Sequence, residues 1–177
     1  EIPSHSRVIV EHYNDEKNKR KYVAFHALYG RRVNDCLSRA VAFAIARTQH
    51  RDVEIGINDN GFYVASEKNV NVMQAFNLVK SKELRKVLDM AIEHTEVLKR
   101  RFRHCATRAM MILRRYMGHE KRVGRQQVSS MILLNAVKRI DTNFCILKEA
   151  RREVLEDLMD IENAAKVIDG IEQKKIL

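Results

Sequence analysis

The feature that most constrains this chain is a change of period near Ser66. Before it, apolar and polar residues alternate in short runs; after it, apolar residues recur at steps of three and four, with only Gly118, Gly124 and Gly170 as breakers. Alternation sends side chains to opposite faces of an extended strand, whereas steps of three and four line one face of a helix. The chain is therefore expected to be α+β. A small antiparallel β-β-α-β-β part covers residues 1–66, and an all-helical bundle covers residues 67–177, the two forming one compact unit.

Within the first part, residues 7–13 and 21–29 read as paired strands around a polar turn. Val33, Leu37, Ala40, Val41, Ala44 and Ile45 mark an amphipathic helix from residue 31 to about residue 47. Residues 53–57 and 62–65 are short strands around Asp59-Asn60-Gly61, whose types supply the positive φ angles of tight hairpins. Further on, helices are expected near residues 70–79, 82–93, 96–117, 125–140, 144–161 and 163–174. Ser81 and Thr95 are candidate N-caps, and Gly118 is the expected stop of the long basic helix.

A composition of 45% hydrophobic and 32% charged residues, with six glycines and one proline, fits a folded helix-rich protein. No window approaches the roughly 18 to 20 apolar residues that a membrane span needs, and no leader pattern opens the chain, so a cytoplasmic protein with no membrane partner is expected. A strand begins within seven residues of the start and the last residues, Lys174 to Leu177, lead towards another element; the chain reads as a fragment of something larger. Cys36, Cys105 and Cys145 are odd in number, widely spaced and set among apolar neighbours, which points to buried free thiols. Adjacent His104 and Cys105 diverge on a helix, so no metal site is expected.

The net charge is +10, and its placement matters more than its sum. Lys99, Arg100, Arg101, Arg103, Arg108, Arg114, Arg115, Lys121, Arg122 and Arg125 face a single acid, Glu120, within residues 99–125, which thus hold +9 of the total. At about 100° per residue, the six arginines from Arg100 to Arg115 share an arc of roughly 160°. Leu98, Phe102, Cys105, Ala109, Ile112, Leu113 and Tyr116 occupy the opposite arc. Guanidinium forks suit bidentate bonds to phosphate, so a nucleic-acid backbone is the expected partner. The competing arrangement is internal: residues 141–162 carry Asp141, Glu149, Glu153, Glu156, Asp157, Asp160 and Glu162, which could neutralise the arc.

Two helix starts add candidates. Gly30-Arg31-Arg32 places Arg31 and Arg32 where backbone N–H groups attract an anion, and Gly124-Arg125-Gln126-Gln127 offers Arg125 and Gln126 to a backbone or base edge. His26 reads as a hydrogen-bonded core histidine. Glu153, Glu156, Asp157 and Asp160 share a helix face, more simply a solvated or arginine-paired face than a nuclease site. Phosphate-loop, zinc-protease and nucleophile-elbow patterns are all missing, so no catalytic residue is expected.

Five blocks stand in order along the chain: Phe25-His26-Ala27-Leu28-Tyr29-Gly30-Arg31-Arg32-Val33-Asn34-Asp35 with Leu37-Ser38-Arg39-Ala40, then Asp59 to Phe62, Lys99 to Arg108, Val123 to Ser130 and Glu153 to Ala164. In these blocks the chain resembles the DEAD/H-associated region of large helicase-related (Lhr-type) ATP-dependent helicases, with wording most like archaeal members. Cys36 and Cys105 stand where small residues are expected. The resemblance implies a superfamily-two helicase with two RecA-like motor domains and a winged helix, moving 3′ to 5′ on single strands and opening DNA or RNA–DNA hybrids. No motor motif lies in these 177 residues, so ATP and magnesium would belong to the motor of the parent and no cofactor to this chain. The expectation is a non-catalytic accessory domain gripping single-stranded or hybrid nucleic acid beside the motor domains and winged helix; the alternative is a structural clamp that docks protein.

Overall fold

The computed structural model describes residues 2–120 and 122–177. Strands β1 (Ile9–Asp15) and β2 (Arg20–His26) pair antiparallel, helix α1 (Arg31–Gln49) follows, and β3 (Glu54–Asn58) and β4 (Gly61–Ser66) complete a sheet of order β1-β2-β4-β3. Phe25 opposes Phe62 in the central pair, and the two rings stack with centroids 4.5 Å apart. Alternation decides the faces: Val23, Phe25, Phe62 and Val64 are buried, while Tyr22, Ala24 and Tyr63 between them are half-buried. Helix α1 contributes Val33, Leu37, Ala40, Val41 and Ile45 to the same core, the stripe its period dictates.

The turn into α1 explains the motif around Gly30. Gly30 sits at φ 84°, ψ 158°, a region open essentially to glycine alone. Four residues on, the fully buried Asn34 donates its side-chain N–H groups to the carbonyls of Ala27 (3.0 Å), Asn58 (3.1 Å) and Asp59 (3.3 Å). One amide thus fastens the helix start to the end of β2 and to the β3–β4 turn. His26 is not a core residue: it is partly exposed and lies 3.1 Å from Glu11.

The remaining elements are α2 (Val72–Leu78), a 3-10 turn (Ser81–Glu83), α3 (Leu84–Ile92), α4 (Glu96–Arg108), the two-residue strands β5 (Arg115–Tyr116) and β6 (His119–Glu120), α5 (Val123–Ile140), α6 (Cys145–Arg152), a π-helical segment (Glu153–Leu158) and α7 (Ile161–Glu172). The α+β class holds, but the second part is not all helix, because β5 and β6 form a hairpin. Two compact units result, Glu1–Ala91 with Leu158–Leu177, and Ile92–Asp157. The boundary expected after residue 66 does not coincide with this division, because α2 and α7 both pack on α1. Arg32 donates to the Met159 carbonyl at 2.9 Å and the Asp160 N–H donates to the Arg32 carbonyl at 3.3 Å, which fixes the start of α7 in the first unit. In the second unit α4 packs against both α5 and α6.

Candidate nucleic-acid interface

Thr95 caps α4, accepting from the Leu98 N–H at 3.4 Å, and Leu98, Phe102, Cys105 and Ala106 bury one side of the helix. The basic residues between them are consequently turned away from the core. The expected helix over residues 96–117 is shorter than its period suggested. It stops at Arg108 because Met110 adopts φ 57°, with the Met110 N–H bonded to Thr107 O (3.1 Å) and the Met111 N–H to Ala106 O (2.9 Å). This is a Schellman termination with methionine where glycine is usual. Buried Ile112 pins the chain after the stop.

Beyond it, Met117 (φ 50°) and Gly118 (φ 79°) form the two-residue turn of the β5–β6 hairpin. Positive φ at both positions gives a type I′ turn, whose twist matches paired strands. Gly118 is thus a hairpin residue rather than a helix stop. Arg115 stands on β5, with Glu120 of β6 opposite it at 3.9 Å.

The rival acidic segment is also interrupted. The helix expected over residues 144–161 is α6 plus the π-helical turn, and Asp160 caps α7 by accepting from the Asn163 N–H at 3.1 Å. Glu153 lies 4% exposed beneath α4, where Arg101 donates to it at 3.2 Å and Arg108 donates to its other oxygen. Arg108 also donates to Cys105 Sγ at 3.3 Å; burial, and then Glu153 nearby, pushes that thiol above its ordinary range. The other acids turn elsewhere: Arg152 takes Glu149 (2.7 Å), Asp157 (3.3 Å) and Glu156 (3.6 Å). The expected shared face of Glu153, Glu156, Asp157 and Asp160 does not form, since the first is buried under arginines and the last is a helix cap. Among the described residues, no three His, Cys, Asp or Glu side chains converge as metal ligands would.

The arginine arc therefore divides into two banks. On one side of α4, Lys99, Arg100 and Arg103 line a groove of about 360 Å³ with Glu96, Val97 and, from α5, Gln127, Ser130 and Met131. On the other, Arg101, His104, Thr107 and Arg108 line an open concavity closed by Arg114, which the chain reversal at Met110 returns to the helix. Lys99 pairs with Glu96 at 2.7 Å. No acid among the described residues lies within ion-pair distance of Arg100, Arg103 or Arg114.

Arg122 is the N-cap of α5 and Arg125 lies in its first turn; both are exposed, no acid shares that turn, and Gln126 beside them is half-buried. Lys121 lies outside the described residues. Arg31 and Arg32 belong to the first unit. The start of α1 already holds an anion of its own, since Asp59 Oδ1 accepts from the Arg31 N–H at 3.3 Å, and Arg32 is engaged with Met159. Of the thiols, Cys36 is buried and pushed up to about 12 by desolvation, whereas Cys145, expected to be buried, is exposed at the start of α6. Among the described residues, no helix is long and apolar enough to cross a membrane.

Sequence reasoning missed His104 as a member of the second bank, Glu153 as its buried anchor and the hairpin that follows. Only the hairpin left a signal, the glycine between two short runs at residues 115–120.

The family model described as DEAD/H associated matches residues 2–177. The ATP-dependent helicase Lhr-Core of Methanothermobacter thermautotrophicus is 55% identical over 96% of this chain, and that of Saccharolobus solfataricus is 41% identical over 99%. In both cases the chain spans 20% of the relative, about a fifth of its length. A solved structure of Mycobacterium smegmatis helicase Lhr bound to ssDNA and AMP-PNP superposes with a TM-score of 0.86 at 26% identity, covering 99% of this chain and 22% of that one.

Proposed function

Because this chain belongs to the DEAD/H associated family, matched from residue 2 to residue 177, we propose that it is the strand-gripping accessory part of an Lhr-type ATP-dependent helicase. In this reading the ATP and magnesium chemistry belongs to motor domains elsewhere in a longer protein. The present segment, beside those domains and the winged helix, holds the backbone of single-stranded or hybrid nucleic acid without catalysing a reaction itself. The observation that carries the reading is the absence of acidic partners for Arg100, Arg103 and Arg114 among the described residues, although acids are plentiful one helix away. Like charges so close cost stability unless a polyanion neutralises them.

The test is the salt dependence of binding. If Arg100, Arg103, Arg114, Arg122 and Arg125 each meet one phosphate, log K for a single-stranded oligonucleotide falls with log salt at a slope of about −3.5. A slope near zero would rule the backbone contact out.

A second reading, docking of another protein surface, is favoured by one observation. Val128, Ile132 and Ile140 of α5 are 58%, 65% and 86% exposed, an apolar set too regular for a solvated helix face.

A further inference from the structure

The concavity on the second bank is built differently from an ordinary basic surface. Arg101 and Arg108 grip opposite oxygens of the one buried carboxylate, Glu153, so their planes are held in place from beneath. The side chain of Arg101 is 24% exposed and that of Arg108 59%, and both line the concavity. Arg114 enters from the segment before β5 without an acid partner among the described residues, and His104 lies between Arg101 and Arg108 on one face of α4. The Thr107 hydroxyl is spent, donating to Arg103 O at 2.8 Å. Three guanidinium groups against one carboxylate leave the pocket with two positive charges in excess.

We propose that this concavity is the seat of a single phosphate group of the bound strand, and that His104 becomes its fourth cationic ligand by taking up a proton as the phosphate enters. The inference rests on the strand-gripping reading and assigns a role to a residue which that reading does not need. Preorganised forks of this kind are what bidentate phosphate recognition requires.

The charges around His104 explain why its proton follows the ligand. Arg101 and Arg108 of α4 and Arg114 of the segment before β5 share its concavity, while Arg100 and Arg103 act on it by charge from the other bank of α4. The acids nearby are already taken, Glu153 by Arg101 and Arg108, and Glu149 of α6 by Arg152. Burial, and then the guanidinium groups of Arg103, Arg101, Arg100 and Arg114, hold the imidazole below its ordinary range, so it is neutral in the empty pocket at neutral pH. A phosphate cancels that repulsion and adds an attraction, raising the imidazole pKa; the proton comes from solvent and no covalent bond changes.

The sign follows from linkage. Binding that takes up a proton weakens as pH rises through the raised pKa of the complex, and levels off below the depressed pKa of the free protein. The probe is a rhodamine-labelled oligothymidylate with a 5′-hydroxyl end, in which no group titrates near neutrality, added to the full chain at fixed ionic strength. Affinity is expected to fall about threefold to tenfold between roughly pH 5.5 and pH 7.5. His104→Gln should bind with the wild-type affinity of high pH and show no such slope, while His104→Lys should hold the higher affinity throughout. The His104 imidazole proton resonance, assigned by its loss in His104→Gln, should titrate at higher pH once the oligonucleotide is bound. An unchanged resonance, or a His104→Gln profile that superposes on wild type while salt dependence persists, overturns this inference and leaves strand gripping standing. Loss of salt-dependent binding in the wild-type chain itself overturns the gripping reading.

Discussion

Met110 carries a side chain at φ 57°, where L-residues are disfavoured by roughly 1–2 kcal/mol. It is 78% exposed, so nothing in packing repays that cost locally; the return comes from Ile112, buried just beyond, and from Arg114, brought back to the helix. Met110→Gly should therefore raise the unfolding free energy by about 0.5–1 kcal/mol, the relief at a left-handed position less glycine's larger entropy loss. Thermal melting reads this directly, and a lower melting temperature would contradict it. No residue type announces such a stop. Methionine is a good helix former, so the period over residues 96–117 ran past the real end of α4. Gly30 is the opposite case: its φ of 84° suits the residue type so well that the start of α1 was legible at once.

Among the elements, strands β1 to β4 and helix α1 could be read to within a few residues, because alternation and the 3.6-residue period arise from burial on one face. The π-helical segment that ends α6 could not, since Glu153 looks like one more acid on an acidic helix until Arg101 and Arg108 are placed above it. One carboxylate also bridges α5 and α6. Glu93, just after α3, takes Lys138 of α5 at 2.8 Å and Arg151 of α6 at 3.0 Å, all three side chains about one-fifth to one-quarter exposed. Burial alone would push the Glu93 carboxyl up, but the bonds from Lys138 and Arg151 outweigh it and hold it below its ordinary value of 4.5. A depressed folded-state pKa gives stability that is present above the unfolded pKa and disappears as pH falls through the folded one. Unfolding free energy should thus decline on acidification below about pH 4.5, and Glu93→Gln should cost about 1–2 kcal/mol at neutral pH while flattening that decline. Denaturant titrations at several pH values check both, and a Glu93→Gln protein as stable as wild type would contradict the network's role.

For the molecule as a whole, family and overall class were legible because five blocks of residues stand in order across most of the chain. Which cations are available was not, because that depends on where acids point after folding. Sequence placed seven acids opposite the arc, yet the structure gives most of their pairing to Arg152; of the arc, Arg101 and Arg108 are committed to Glu153 and Arg115 faces Glu120 of its own hairpin. That distinction selects the residues for the decisive variant. Arg101 and Arg108 anchor a buried carboxylate, so their removal would confound folding with binding, whereas Arg100, Arg103 and Arg114 lack acidic partners among the described residues. The most direct measurement is oligonucleotide affinity of the Arg100→Glu, Arg103→Glu, Arg114→Glu triple variant, alongside its circular dichroism and melting temperature. Affinity should drop by at least about tenfold and the salt slope should shrink by roughly 2, with helicity and melting little changed. A well-folded triple variant that binds the strand as tightly as wild type would contradict the account.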